Sequence, residues 1–303
     1  MQYLNGKRYY TMAQYCRRRF GGRVVKIPLD PGLTCPNRDG TKGTGGCTFC
    51  AGGERALEQQ SLSAQYQTGL ALADKWPDAK PVAYFQGFSN TYAPIERVEA
   101  MLNEALALHP AGIRLATRAD CINGTMAALL ARFAQKTVLE LELGLQTVHD
   151  STARAINRGH TFAEFREGFG LLKQHDIYTC VHLINGLPQE IPDMMLASAK
   201  ALAALRPGGV KLHMLHLISN TPLAESWGQS AFPLLSQEEY VEIVCAQLRY
   251  FHPETVIERL TGDGDKKTLI APLWTRNKRG VLNAIDGALA RQNIRQGDLW
   301  GEQ

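Results

Sequence analysis

Six apolar, β-rich runs alternate with amphipathic helical stretches, and this alternation narrows the fold more than any other feature of the chain. The runs are RVVKIPL (23–29), PVAYFQGF (81–88), GIRLATR (112–118), TVLELELGL (137–145), YTCVHLI (178–184) and GVKLHMLH (209–216). Helical patterns lie near 62–76, 94–108, 121–134, 161–175 and 190–205, and another follows at 236–251. Strict alternation predicts a parallel sheet with helices outside it. No glycine fingerprint follows the first run, which favours a barrel or partial barrel over a doubly wound nucleotide fold. The expectation is an α/β chain with a partial (β/α)6 TIM-like barrel over 23–253. An N-terminal extension (1–22) precedes it and a small, polar, basic C-terminal extension (254–303) follows. In such a barrel, function collects where the strands end.

The fourth run carries a second constraint. In VLELELGLQ, Leu139, Leu141, Leu143 and Leu145 share one face, while Glu140, Glu142, Gly144 and Gln146 share the other. A parallel strand buried on both sides should be apolar on both. Two carboxylates and an amide on one face therefore predict a polar lumen, with an exposed edge strand as the bland alternative. Glu142, nearer the strand end, is expected to touch cofactor or substrate. Glu140, one layer deeper, is expected to pair with a buried base or a hydrogen-bonding neighbour.

Directly after the first strand comes CPNRDGTKGTGGCTFC, with Cys35, Cys47 and Cys50 on one loop. A structural zinc site wants four closed Cys or His ligands. The first histidine of the chain is His109, and the spacing of Cys16 from Cys35 matches no common finger. Three thiolates alone suit an iron–sulfur cubane that keeps one iron open. Cys16, Cys121, Cys180 and Cys245 are scattered and read as small buried hydrophobes, Cys180 near the lumen. TGDGD (261–265) reads as a turn rather than a cation site.

Seven cysteines at irregular spacing do not form a secreted disulfide framework, and no apolar leader or run of about 18 apolar residues is visible. A cytoplasmic protein with reduced thiols and no membrane span is expected. The net charge of +4 permits a polyanionic partner without requiring one.

With the cysteines stand KIPLD, CPNRDG, YFQGFSNTYAP, ELGLQT, NRGHT, GLPQE and APLWTRNKRGVLNAI. Together these motifs resemble the radical S-adenosylmethionine (SAM) enzymes, and within them the YhcC/YtqA family. That family is similar to the catalytic subunit of Elongator and to oxygen-independent coproporphyrinogen oxidase. The resemblance spans nearly the whole chain. It implies a 4Fe-4S cluster on Cys35, Cys47 and Cys50, with SAM on the open iron. It further implies reductive cleavage of SAM to a 5′-deoxyadenosyl radical, fed by an electron donor such as flavodoxin or ferredoxin. Carried over residue by residue, Phe49 would pack on adenine and Gln146 would reach the ribose. Arg158 would pair with the methionine carboxylate, its guanidinium fork suiting that group. Gln86 would take the amino group, with Ser89, Asn90 and Thr91 as weaker candidates. His182 stands where coproporphyrinogen oxidase has a ribose-binding aspartate. It is either a substrate-facing catalytic group or a satisfied core histidine.

The Elongator likeness points to the wobble uridine side chain of tRNA as substrate. A length of 303 residues is not expected to hold Elongator's acetyltransferase domain as well. Arg17, Arg18 and Arg19, with Lys266, Lys267, Arg276, Lys278 and Arg279, would form a phosphate track if the two groups meet beside the barrel mouth. The alternatives are the same chemistry on a small metabolite, or a non-catalytic iron–sulfur protein.

Overall fold

The structure, a computed structural model, describes residues 3–52, 60–229, 231–262, 264 and 266–301. Each predicted run becomes a strand: β1 (Val24–Leu29), β2 (Lys80–Phe85), β3 (Gly112–Thr117), β4 (Leu139–Gln146), β5 (Tyr178–Asn185) and β6 (Gly209–Met214). They pair in parallel and in sequence order. The predicted helices also form: α2 (Leu62–Ala73), α3 (Ile95–Ala107), α4 (Gly124–Ala134), α6 (Phe162–Gln174), α7 (Pro192–Leu205) and α9 (Gln237–Leu248). Their starts are set locally. Asn123 caps α4, and Thr161–Glu164 and Ser236–Glu239 form capping boxes on α6 and α9. Proline opens α7, where its missing N–H costs nothing.

β4 shows how the curled sheet sorts its faces. Leu139, Leu141, Leu143 and Leu145 lie in the main apolar core, each burial contributing about 1.5–3 kcal/mol. Glu140 and Glu142 are also buried, on the lumen side. The polar-lumen expectation holds, and the edge-strand alternative does not, since β3 and β5 flank β4.

The sheet has one more strand than the sequence predicts. β8 (Val256–Arg259) pairs in parallel with β6, so the barrel continues past 253 and the expected boundary there cuts it short. β7 (Leu217–Ile218), after β6, and β9 (Leu269–Ala271), after β8, make a separate small antiparallel ribbon. The region beyond 254 is likewise no polar tail. Its helix α10 (Lys278–Arg291) buries Val281, Ile285, Ala288 and Leu289 in the core. Two short helices, α5 (Asp150–Ala155) and α8 (Pro222–Gln229), lie on the strand-end face.

Residues 8–20 also belong to the barrel. Thr11 bridges Ile257 of β8, and the Ile257 N–H donates to the Tyr10 carbonyl at 2.7 Å. Gln296 locks the same edge, accepting from Tyr10 N–H (2.8 Å) and donating to the Thr255 carbonyl (2.8 Å). Helix α1 (Met12–Phe20) then crosses the strand starts. Tyr15 stacks on Tyr178, the first residue of β5, with ring centres 4.8 Å apart, and donates to Glu140 at 2.6 Å. Arg17, Arg18 and Arg19 are therefore exposed at the N-terminal end of the barrel. The expected phosphate track from these three to the C-terminal basic group is not formed, because the cluster loop sits at the opposite end.

Candidate cofactor site

One cavity of about 340 Å³ opens at the strand ends, within the size range of small-molecule sites. Its walls include Cys35, Cys47, Phe49 and Cys50 from the loop after β1, and Gln86 from the end of β2. Glu142, Gly144 and Gln146 enter from β4, Arg158 and His160 from the segment after α5, and His182 from β5. Residues from five separate sequence regions meet here because parallel strands bring all their C-terminal ends to one face.

All three loop cysteines are free thiols, half-buried at 35 and 47 and exposed at 50. Burial, then the neighbouring Cys50, pushes the Cys47 thiol up to about 11. Among the described residues, no three His, Cys, Asp or Glu side chains converge to hold a single metal ion. A cubane asks for one thiolate per iron, not three on one centre. Three thiols carried by one loop into one cavity fit that donor set.

The cavity also fits a polar organic ligand. Gln146 ends β4 at a bulge with φ +62°, and its Oε1 is buried without a hydrogen-bond partner. Gly144 makes room for it, since a Cβ there would lie 2.4 Å from Gln146 Nε2. Phe49 packs into a satellite apolar cluster with Leu217, Leu223 and Ala271 while still lining the cavity.

Two expectations need correction. Asn90 does not line the cavity. It is fully buried, and its Nδ2 donates to the carbonyls of Phe85, Gly87 and Ala116, making it a strut for the loop after β2. Ser89 and Thr91 bond to Thr117 instead. Arg158 does line the cavity, but its donors are committed. Nε and Nη2 donate to the His160 carbonyl, and Nη1 donates to the carbonyls of Leu145 and Thr147. Asp150 lies 3.5 Å from Nη2. A ligand carboxylate would have to displace these backbone acceptors, so the structure makes Arg158 a brace between β4 and the segment after α5. Burial lowers its pKa to about 10.

Glu142 is the floor of the cavity and the centre of a buried ion network. Its Oε1 meets Lys26 (2.9 Å) and Arg114 (3.0 Å); its Oε2 meets Lys211 (2.6 Å) and Tyr84 (2.8 Å). Burial alone would raise its pKa, but His182, Arg114, Lys211 and Lys26 together hold it well below the usual range. Arg114, fully buried, also grips Glu140 (2.9 Å) and Glu258 of β8. Glu140 thus has its base, and Tyr15 its acceptor. Three carboxylates face three cations in a closed balance. Sequence reading missed Arg114 and Glu258. Arg114 had a signal, a cation in an otherwise apolar strand opposite Glu140 in register; Glu258 sat in a strand not recognised.

His182 reaches to 3.3 Å from Glu142 Oε2, stacks on His213 with ring centres 5.7 Å apart, and keeps 28% of its side chain open. It is neither sealed in the core nor free of the network. Burial, then Lys211, lowers its pKa. Sequence reading also missed His160 as a wall residue. Its side chain is 1% exposed, neither ring nitrogen has a hydrogen-bond partner, and burial, then Arg158, lowers its pKa to about 3. Cys16, Cys180 and Cys245 are buried as expected, whereas Cys121 is half-buried in an outer groove. In TGDGD, Asp263 and Asp265 lie outside the described residues.

Comparison with known proteins places this arrangement. The profile of the Radical SAM superfamily matches residues 37–202, and that of the Radical_SAM C-terminal domain matches 207–291. The chain is 43% identical over 300 residues to YtqA of Bacillus subtilis, covering 97% of this chain and 93% of that protein. The chain therefore belongs to the radical SAM superfamily and, within it, to the YhcC/YtqA family. It is an enzyme that uses a 4Fe-4S cluster and SAM. Human Elongator complex protein 3 is 28% identical over 179 residues, 58% of this chain but 31% of that protein. The structure of archaeal Elp3 from Methanocaldococcus infernus superposes with a TM-score of 0.66 at 16% identity, covering 90% of this chain and 64% of that one, a likeness of fold. No helix among the described residues is long and apolar enough to cross a membrane.

Proposed function

We propose that this radical SAM enzyme modifies tRNA, on the side chain of a wobble uridine. The observation that carries the reading is the position of the C-terminal basic group. β9 lies in the same apolar cluster as Phe49, and Arg276 donates to the carbonyls of Lys266 and Leu269. Lys266, Lys267, Arg276, Lys278 and Arg279, all exposed, thereby flank the face that carries the cluster loop. Cations beside a cavity mouth would hold backbone phosphates while one nucleoside enters. The sequence likeness to Elongator complex protein 3 supports the same substrate class.

In this reading Cys35, Cys47 and Cys50 hold the cluster, and Gln86, Gln146 and Phe49 orient SAM. The bound cofactors would supply one-electron cleavage of the sulfonium and a 5′-deoxyadenosyl radical that abstracts hydrogen from the substrate. Glu142 fixes the floor electrostatically, and neutral His182 offers a hydrogen bond to SAM or substrate. A cytoplasmic flavodoxin or ferredoxin delivers the electron. One observation favours a small metabolite instead: Arg17, Arg18 and Arg19 face the far end, which shortens the cationic surface. Sequencing tRNA modifications in a deletion strain separates the two. Loss of a wobble-uridine modification is expected. An unchanged modification profile, from a protein that still cleaves SAM, would transfer the assignment to a metabolite.

A further inference from the structure

Two asparagines cross between the cluster loop and the NRGHT segment. Asn37 is fully buried, two residues after Cys35. Its Nδ2 donates to the Asn157 carbonyl and lies 3.8 Å from the Cys47 sulfur. In return, Asn157 Nδ2 donates to the carbonyls of Gly46 (2.8 Å) and Thr44 (3.3 Å). The Thr48 N–H adds a third tie, to the Ile156 carbonyl at 3.0 Å. The amide of Asn37 cannot be turned over, because Oδ1 would then face another acceptor, the Asn157 carbonyl. One N–H is thus spent on Asn157 and the other is left for sulfur. Two glycines leave space for this side chain: a Cβ on Gly43 or Gly159 would lie 2.4 or 2.6 Å from Asn37 Oδ1.

We propose that Asn37 is a positioning residue for the cluster: its amide N–H hydrogen-bonds the Cys47 sulfur and raises the cluster's reduction potential, and the 156–159 segment holds the amide in place. Hydrogen bonds to cluster sulfurs are among the factors that set such potentials, and a donor stabilises the more negative, reduced form. The NRGHT segment thereby contributes to electron uptake without itself providing a cluster ligand.

Two measurements on the anaerobically reconstituted full-length chain test this. With side-chain 15N-asparagine incorporated, the reduced cluster of the wild type should show a nitrogen hyperfine coupling that disappears in Asn37→Leu. Its absence from the wild type would overturn the proposal. An EPR-monitored redox titration of Asn37→Leu should show the reduction equilibrium shifted about tenfold toward the oxidised cluster, or about 59 mV more negative for one electron. Full iron loading with an unchanged potential would overturn it too. Should Asn37→Leu fail to load iron, Gly159→Ala keeps the amide but crowds its Oδ1, and a shift in the same direction is then expected. An unchanged potential in that loaded variant would equally sink the idea.

Discussion

Replacing Glu142 by glutamine keeps shape and removes one charge, so it reads the energetics of the lumen directly. The carboxylate is buried and contacts Lys26, Arg114, Lys211 and Tyr84. Before the change, Glu140, Glu142 and Glu258 balance Lys26, Arg114 and Lys211; afterwards one buried cation is left over. Breaking a buried pair in this way costs about 3–5 kcal/mol. At about 2–4 °C per kcal/mol for a domain approaching this size, the melting temperature should fall by roughly 10 °C at pH 7. Glu140→Gln should cost less, because among the described residues Glu140 pairs with Arg114 and Tyr15, and Arg114 keeps Glu258. Circular dichroism melts of the cofactor-free variants suffice. The folded pKa of Glu142 is depressed, so its contribution is complete above the unfolded carboxyl value near 4.5 and fades as pH falls through the folded value. The gap between wild type and Glu142→Gln should therefore narrow in acid. A variant melting within a degree of wild type at pH 7 would refute the network as a source of stability.

Further outcomes are expected elsewhere. Alanine at Cys35, Cys47 or Cys50 should abolish the cluster's visible absorption after reconstitution, while alanine at Cys16, Cys121, Cys180 or Cys245 should leave it. Arg158→Ala should lower the melting temperature even without cofactors, since three backbone carbonyls lose donors at about 1–3 kcal/mol each; an effect confined to SAM affinity would show the guanidinium to be a ligand. His160 is held neutral far below its ordinary pKa, so it favours folding more at pH 7 than in acid, and stability should drop as pH falls from about 6.5 toward 3. His160→Phe should flatten that limb. Charge reversal at Arg276, Lys278 and Arg279 should weaken RNA retention and flatten its salt dependence, while reversal at Arg17, Arg18 and Arg19 should change neither.

Six strands and six helices up to residue 251 were legible because period-2 and period-3.6 patterns are strong over six to fourteen residues, whereas α1, α5, β7 and α8 were not read from the sequence. β8 escaped because it is four residues long and half charged, VIER, with Glu258 turned into the lumen. α10 escaped because it starts Lys-Arg-Gly and carries Gly287, although its buried stripe at 281, 285, 288 and 289 has helical spacing. For the site, the motifs located the cavity wall but not how the donors on it are spent. Arg158 and Asn90 look available in sequence; only the fold shows carbonyls already occupying them. Hydrogen-bond saturation is a three-dimensional property and leaves no mark on spacing.

The bridge between Thr11 and Ile257 makes the sheet edge a seam sewn from both ends of the chain. During synthesis, the backbone groups of Tyr10 must wait for Ile257 of β8 and for Gln296, 286 residues later, before they find partners. Closure of the barrel edge is thus a late, non-local event with a high loop-closure cost. Trimming either end should open the same side of the molecule, and a circular permutant that joins the two ends would turn that seam into a local contact.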